Sequence, residues 1–261
     1  MIDLHIHLLP GVDDGAADAT VSREMLARAA AYGYQTMVAT PHLPRRLDSA
    51  YLEQIVRALA EVRALAEGSG IDVRLGFEAN LTPDLPARLQ AGEPATLAGS
   101  RTILVDLPFS GWPFHAESSL FALQRAGFRP VLAHPERYTA VQDDPARALD
   151  LAEQGILLQA TISSFTGLFG SRARQAAEHL LRHDAIHFVA TDAHSAGHRF
   201  ANIDRGLDRI GNLVGEARLR QLVHDVPRAL LDDADIPATA PAEPRSQAWH
   251  IRLRRRFVSS G

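Results

Sequence analysis

Short β-rich runs alternate with longer stretches of helical periodicity along most of this chain, and that alternation restricts its fold more than any other feature. The runs are Ile2 to Ile6, Gln35 to Thr40 (QTMVAT), Ile71 to Phe77 (IDVRLGF), Thr102 to Leu107 (TILVDL), Arg129 to Ala133 (RPVLA), Ile156 to Ala160 (ILLQA) and Ile186 to Thr191 (IHFVAT). Several are almost continuously apolar, as parallel strands buried on both faces are. Amphipathic patterns cover Asp18 to Tyr32, Ser49 to Glu67, Ser118 to Ala126, Pro145 to Gln154 and Arg172 to His183. Three of them stop at a glycine, Gly68, Gly127 or Gly155, as helices commonly do. Such alternation implies an α/β fold, a parallel sheet with right-handed crossovers, and seven strands in this length suit a closed barrel or a doubly wound sheet.

Further helical patterns lie near Leu207 to Leu213, Glu216 to Val223 and Pro227 to Asp232. From Ala234 the chain turns Pro/Ala-rich (ADIPATAPAEPRSQAW) and ends in IRLRRRFVSSG. We therefore expect a barrel over 1–232 and an extended or disordered tail over 233–261, with its basic cluster solvated.

The formal net charge of −4 gives no global basic field to attract nucleic acid. There is no cysteine, which excludes disulfides, thiolate metal sites and a cysteine nucleophile. No basic segment leads into an apolar run at the N-terminus, and no apolar stretch is long enough to span a bilayer. The expectation is a cytoplasmic protein without a membrane span.

Ligand-type side chains gather at the C-terminal ends of the strands. His5 and His7 end the first, His42 follows the second, Glu78 the third, Asp106 ends the fourth, His134 follows the fifth, and Asp192 and His194 follow the seventh. In a barrel these ends form the rim where βα loops build active sites. A His-x-His on a strand directs both imidazoles to one face. Imidazole with carboxylate suits zinc, manganese, iron or other first-row ions, and a carboxylate such as Glu78 can bridge two of them. Singly, each of these residues is an ordinary hydrogen-bonded histidine or solvated acid; jointly, six of seven strand ends carry a ligand type. His115, His179, His183, His187, His198, His224 and His250 are not assigned to metal. Arg137 (AHPERY) and Arg199 (DAHSAGHR) stand beside the ligands in two different loops. Their guanidinium forks match phosphate oxygens, although Arg137 also has Glu136 and Asp143 nearby as ordinary partners. Phe109, Trp112 and Phe114 in PFSGWPFH could face a substrate ring or simply cap the barrel.

The set DLHIH, VDDG, TPH, GFEAN, AHPERY and TDAH resembles the PHP (polymerase and histidinol phosphatase) superfamily. MIDLHIHLLPGVDDGA, VLAHPERY, SSFTGLFG and HFVATDAH resemble, more narrowly, the bacterial metal-dependent protein-tyrosine phosphatases of the CpsB/YwqE type, over residues 1–232. The resemblance implies a distorted (β/α)7 TIM-like barrel holding two or three divalent ions (Mn, Fe or Zn). It implies one ion on His5, His7, Glu78 and Asp192, a second sharing Glu78 with His134 and Asp106, and a third on Asp14, His42 and His194, with Asp13 competing for the place of Asp14. Arg137 and Arg199 match the family's phosphate-binding arginines, and His42 joins them as a catalytic candidate. Asp106 stands where relatives carry glutamate, so its carboxylate reaches roughly 1.3–1.5 Å less far.

The function so implied is metal-dependent hydrolysis of a phosphomonoester, with the phosphotyrosine-bearing tail of a bacterial autokinase in capsule or exopolysaccharide synthesis as substrate. The alternatives are a small-molecule phosphatase of the histidinol-phosphate type and a non-catalytic, metal-bearing regulatory subunit.

Overall fold

A computed structural model describes residues 1–240; the basic run at 251–256 lies outside the described residues. The strands are β1 (Ile2–Ile6), β2 (Thr36–Ala39), β3 (His42–Leu43), β4 (Asp72–Leu75), β5 (Glu78–Asn80), β6 (Thr102–Asp106), β7 (Arg129–Ala133), β8 (Leu157–Thr161) and β9 (Phe188–Ala190). Around them lie α1 (Ala19–Ala31), α2 (Ser49–Ala66), α3 (Leu85–Gln90), α4 (Ala116–Arg125), α5 (Thr139–Asp143), α6 (Ala146–Glu153), α7 (Ser171–Arg182), α8 (His198–Ala201), α9 (Ile203–Arg220) and α10 (Val226–Leu231). Asp18 and Asp48 begin α1 and α2 by accepting from backbone amides of the first turn.

All strand pairs are parallel, in the orders β1-β2-β4 and β3-β5-β6-β7-β8-β9. The second and third expected strands form as β2 and β4, and each is followed, after a break at Thr40–Pro41 or at Gly76–Phe77, by a short further strand, β3 or β5, beyond the expected end. Pro41 has no amide hydrogen to continue a ladder. The amides of Gly76 and Glu78 bond to Ala39 O (2.8 Å) and Pro41 O (3.1 Å) and carry the pairing across both breaks. On the far side β9 returns to β1 through an Ile6–Ala193 bridge, His7 N to Ala193 O (3.0 Å) and Asp192 N to His5 O (2.8 Å). The result is a closed, distorted seven-position barrel.

Ile2, Leu4, Val38, Leu104, Val131, Ala133, Leu157, Phe188 and Ala190 form one buried apolar cluster with Val226 and Leu230 of α10. These are the alternate, inward positions of the strands, and α10 plugs the barrel against them. A second, larger cluster packs the helices onto the outside.

One irregularity decides where the chemistry goes. Between Asp3 and Ile6 the β1 register advances by three residues while β2 advances by two, a β-bulge. Ile2 and Leu4 therefore fill the barrel, whereas Ile6 packs in the outer cluster and His5 and His7 turn inward at the rim. Asp3 holds the bulge: its buried carboxylate accepts from His5 N (3.2 Å), Thr191 N (3.2 Å) and Thr191 Oγ1 (2.6 Å).

The expected helices Leu207–Leu213 and Glu216–Val223 correspond to two helical segments of α9 divided at Gly215, whose φ of 85° and ψ of 171° interrupt the helix and which only glycine adopts readily. A π-turn over Gln221–Asp225 then leads into α10. Beyond it, Ile236 packs on the barrel cluster, and the Gln221 carboxamide bonds both Ala238 O and Ala240 N (2.8 Å each).

Candidate metal centre

Glu78, at the start of β5, is the hub. Its buried Oε2 is approached by His5 Nε2 (3.4 Å), His7 Nε2 (3.3 Å) and His42 Nδ1 (3.2 Å), and its Oε1 by His134 Nε2 (3.0 Å). Asp192 Oδ1 lies 3.5 Å from His5 Nε2 and 3.7 Å from His7 Nε2. At the open side Asp14 Oδ1 lies 3.3 Å from His42 Nε2 and 3.4 Å from His194 Nε2.

Three groups of ligand atoms converge closely enough to share an ion: His7 with Asp14, His42 and His194; His5 with His134 and Asp192; and His5 with His7 and Glu78. Donors held about 2.0–2.1 Å from a tetrahedral ion stand roughly 3.4 Å apart, close to most of the spacings found here, which exceed an ordinary hydrogen bond, whereas His134 is hydrogen-bonded to Glu78 at 3.0 Å. His5 Nε2, His7 Nε2 and His134 Nδ1 are buried without any hydrogen-bond partner. Folded chains seldom leave such atoms unsatisfied, so both spacing and orphaned nitrogens fit divalent metal. The site is built to chelate more than one ion.

Backbone strain accompanies the site. His134 (φ 36°) and Asp192 (φ 48°) adopt the left-handed region, which costs a residue other than glycine on the order of 1–3 kcal/mol and is usually tolerated where geometry serves chemistry. The charges are arranged correspondingly. Burial works against ionisation of Asp192, but His5, Arg199, His134 and Arg137 hold its pKa at about 2. Glu78 is likewise held well below the usual carboxylate range by its histidines, against the cost of burial. Burial and the neighbouring His7 push His194 down to about 4 and burial lowers His134, whereas, against burial, the carboxylates around His5 and His7 raise both, His7 to about 10.

The supporting contacts extend what the sequence offered. Asp13 orients His7 through Nδ1 (2.7 Å) and accepts from His42 N (3.0 Å), while the adjacent Asp14 faces the ligand group. Gln159 bonds His5 Nδ1 at 2.9 Å. It lies on β8, the strand that carries no ligand type, and a glutamine inside the apolar run ILLQA was the available signal. Asp106 is the expected ligand that enters none of the three groups. Its buried Oδ1 has no partner, and burial together with the Glu78 charge raises its pKa to about 7.

Both arginines reach the centre. Arg137 Nη1 and Arg199 Nη1 each bond a different oxygen of Asp192 at 2.7 Å. Neither of the ordinary partners of Arg137 is used: Glu136 turns into the core and Asp143 pairs with Arg172. The aromatic loop divides. Trp112 is structural, packed edge-on to Tyr138 with Nε1 donating to Glu117 (2.7 Å), whereas Phe109 lies over Arg137 and Phe114 is exposed.

A model of the family described as capsular polysaccharide synthesis, CpsB/CapC, matches residues 1–232. The chain belongs to the CpsB/CapC family. It is 34% identical to the tyrosine-protein phosphatase YwqE of Bacillus subtilis over 75% of this chain and 78% of that protein. It is 28% identical to the tyrosine-protein phosphatase CpsB of Streptococcus pneumoniae over 89% and 99%. A crystal structure determined with those two proteins, described as metal-dependent tyrosine phosphatases, superposes with a TM-score of 0.84 at 30% identity, over 95% of this chain and all of that one. The distorted barrel expected from the sequence is thus the family's fold. This CpsB/CapC member is a metal-binding α/β enzyme, homologous to metal-dependent phosphatases of capsule and exopolysaccharide synthesis. No helix among the described residues is long and apolar enough to cross a membrane.

Proposed function

We propose that the protein is cytoplasmic and hydrolyses phosphotyrosine in the tail of a bacterial tyrosine autokinase that governs polysaccharide export. The observation that carries this reading is the convergence of Arg137 and Arg199 on Asp192, at the edge of a centre able to chelate several ions. A structural metal site is coordinatively closed and has no use for two guanidinium groups at its mouth.

His5, His7, Glu78 and Asp192 would hold one ion, and Asp14, His42 and His194 another. His134 would share Glu78 with a further ion, and Asp106 on β6 would be the remaining candidate to hold it. Such ions supply a Lewis acid for the phosphoryl oxygens and make water acidic enough to act as nucleophile near neutrality. The chain's own residues do the rest. Each arginine uses Nη1 on Asp192 and keeps other N–H donors for the phosphate, so both forks are oriented before substrate arrives. Their charge opposes the negative charge of the phosphoryl group as it transfers. Side chains of His42 and Asp14 are partly exposed (39% and 67%), which leaves the approach open on that side. Phenolate, with a pKa of about 10, departs with less help from a proton than an alkoxide needs, and an aryl ester suits the site on that ground.

The test compares kcat/KM of the metal-loaded protein on a phosphotyrosyl peptide and on histidinol phosphate. A preference for the peptide supports the reading; a preference of about tenfold or more for histidinol phosphate overturns it. Arg199→Ala should abolish most turnover while leaving the fold intact. Full activity in that variant would remove the clamp.

A further inference from the structure

The segment SSFTGLFG closes the loop after β8, and its last aromatic ring has no part in the centre described so far. Gly167 (φ 82°) and Gly170 (φ 92°) bracket Leu168 and Phe169 and bring the chain back toward the rim. There the Phe169 ring stands 4.3 Å from Arg137 Cζ and 5.4 Å from Arg199 Cζ. Phe109 covers Arg137 as well, at 4.4 Å. The same segment is fastened to both arginine loops. Ser164 Oγ donates to Glu136, the neighbour of Arg137, at 2.6 Å, and Ser163 Oγ donates to the Arg199 carbonyl at 3.3 Å.

We propose that Phe169 is a positioning residue that holds Arg137 and Arg199 as a single phosphate-binding unit, with Phe109 as a second ring on Arg137. The inference rests on the phosphate-binding reading of the two arginines. A guanidinium is weakly hydrated on its faces and donates only along its edges. A ring against a face restricts rotation and excludes water while leaving the N–H edges free for an anion. The ring that touches both arginines also fixes their relative placement, which neither bond to Asp192 does alone. Without it, the bonds to Asp192 still anchor each Nη1, but the guanidinium planes keep freedom about those anchors that must be lost when phosphate binds, and affinity falls by that ordering cost.

The experiment uses the full, metal-loaded chain, with inorganic phosphate as probe. Calorimetry reads its binding, kinetics reads kcat/KM on a phosphotyrosyl peptide, and elemental analysis reads metal content. Phe169→Leu, similar in bulk but without a π face, should weaken phosphate binding and lower kcat/KM by about tenfold, with metal content unchanged. Phe169→Tyr should restore both to within about twofold. If the leucine chain folds poorly, Phe169→Met reads the same quantities. In an Arg137→Ala/Arg199→Ala background the Phe169→Leu change should have no further effect on phosphate binding. Wild-type phosphate affinity in Phe169→Leu, or the same loss with and without the arginines, overturns the proposal. Failure of the parent reading looks different: the doubly substituted arginine chain would itself bind phosphate and turn over as the wild type does.

Discussion

Replacing Glu136 by glutamine should make the protein's stability less sensitive to pH, by an amount the structure sets. Glu136 precedes Arg137 and is completely buried. Its Oε1 accepts from Thr161 N (2.9 Å) and Ser164 Oγ (2.6 Å), while Oε2 has no partner. Burial raises its pKa from 4.5 to about 7, against the pull of those hydrogen bonds and of the Arg137 charge. The folded chain thus retains a proton that the unfolded chain releases near its ordinary pKa. The contribution to stability is fully present below the unfolded value of 4.5 and is lost as pH rises through about 7. At about 1.4 kcal/mol per pH unit, that window corresponds to about 3 kcal/mol.

Glutamine keeps an acceptor at Oε1 and cannot ionise. The unfolding free energy of Glu136→Gln minus that of the wild type should therefore grow by about 3 kcal/mol between roughly pH 4.5 and pH 8. Urea denaturation of both chains across this range measures the difference, and other titrating groups cancel. A difference that stays constant with pH would show that Glu136 is ionised in the fold, and the reasoning from burial would be wrong.

Two further outcomes follow from particular contacts. Asp106→Glu adds one methylene, about 1.5 Å of reach, to a carboxyl group beside Glu78 whose buried Oδ1 has no partner, so elemental analysis after dialysis should show more metal retained per chain; equal or lower content would mean that Asp106 does not border an ion site. Gly206→Ala in α9 would place a methyl 2.5 Å from Ile162 Cγ2 and 2.7 Å from Ile162 O; the expected net loss is about 1–2 kcal/mol by urea denaturation despite alanine's better helix propensity, and a stabilised chain would contradict the close approach.

The positions of the strands and most of the side chains that converge at the rim were legible because they rest on local pattern. Apolar runs mark buried parallel strands, and a ligand type after a run falls on one rim. The β1 bulge was not legible, since it depends on pairing with β2 and on Asp3 meeting Thr191, 188 residues away. The two breaks follow the same rule: Pro41 and Gly76 stand in the text, but their effect appears only once Ala39 and Pro41 accept from the neighbouring chain segment. His134 and Asp192 were visible as ligand types, whereas their left-handed backbones were not, because neither is a residue that advertises positive φ as glycine does. Phe169 was hidden for a different reason. An aromatic ring in a glycine-flanked loop carries no sign of its neighbour, and both arginines it meets come from other loops.

The seam between β1 and β9 joins the two ends of the barrel, yet its backbone pairing amounts to a single bridge and two flanking hydrogen bonds. The residues on either side of that seam, His5 and His7 facing Asp192 and His194, are the ones whose ligand atoms converge. An ion held across that seam would therefore stabilise the closed barrel. Every increment of affinity for an ion that spans the seam is an equal increment of stability for the closed chain, and it closes a loop of nearly the whole fold. Metal loading should then raise the stability of the folded chain as well as its activity.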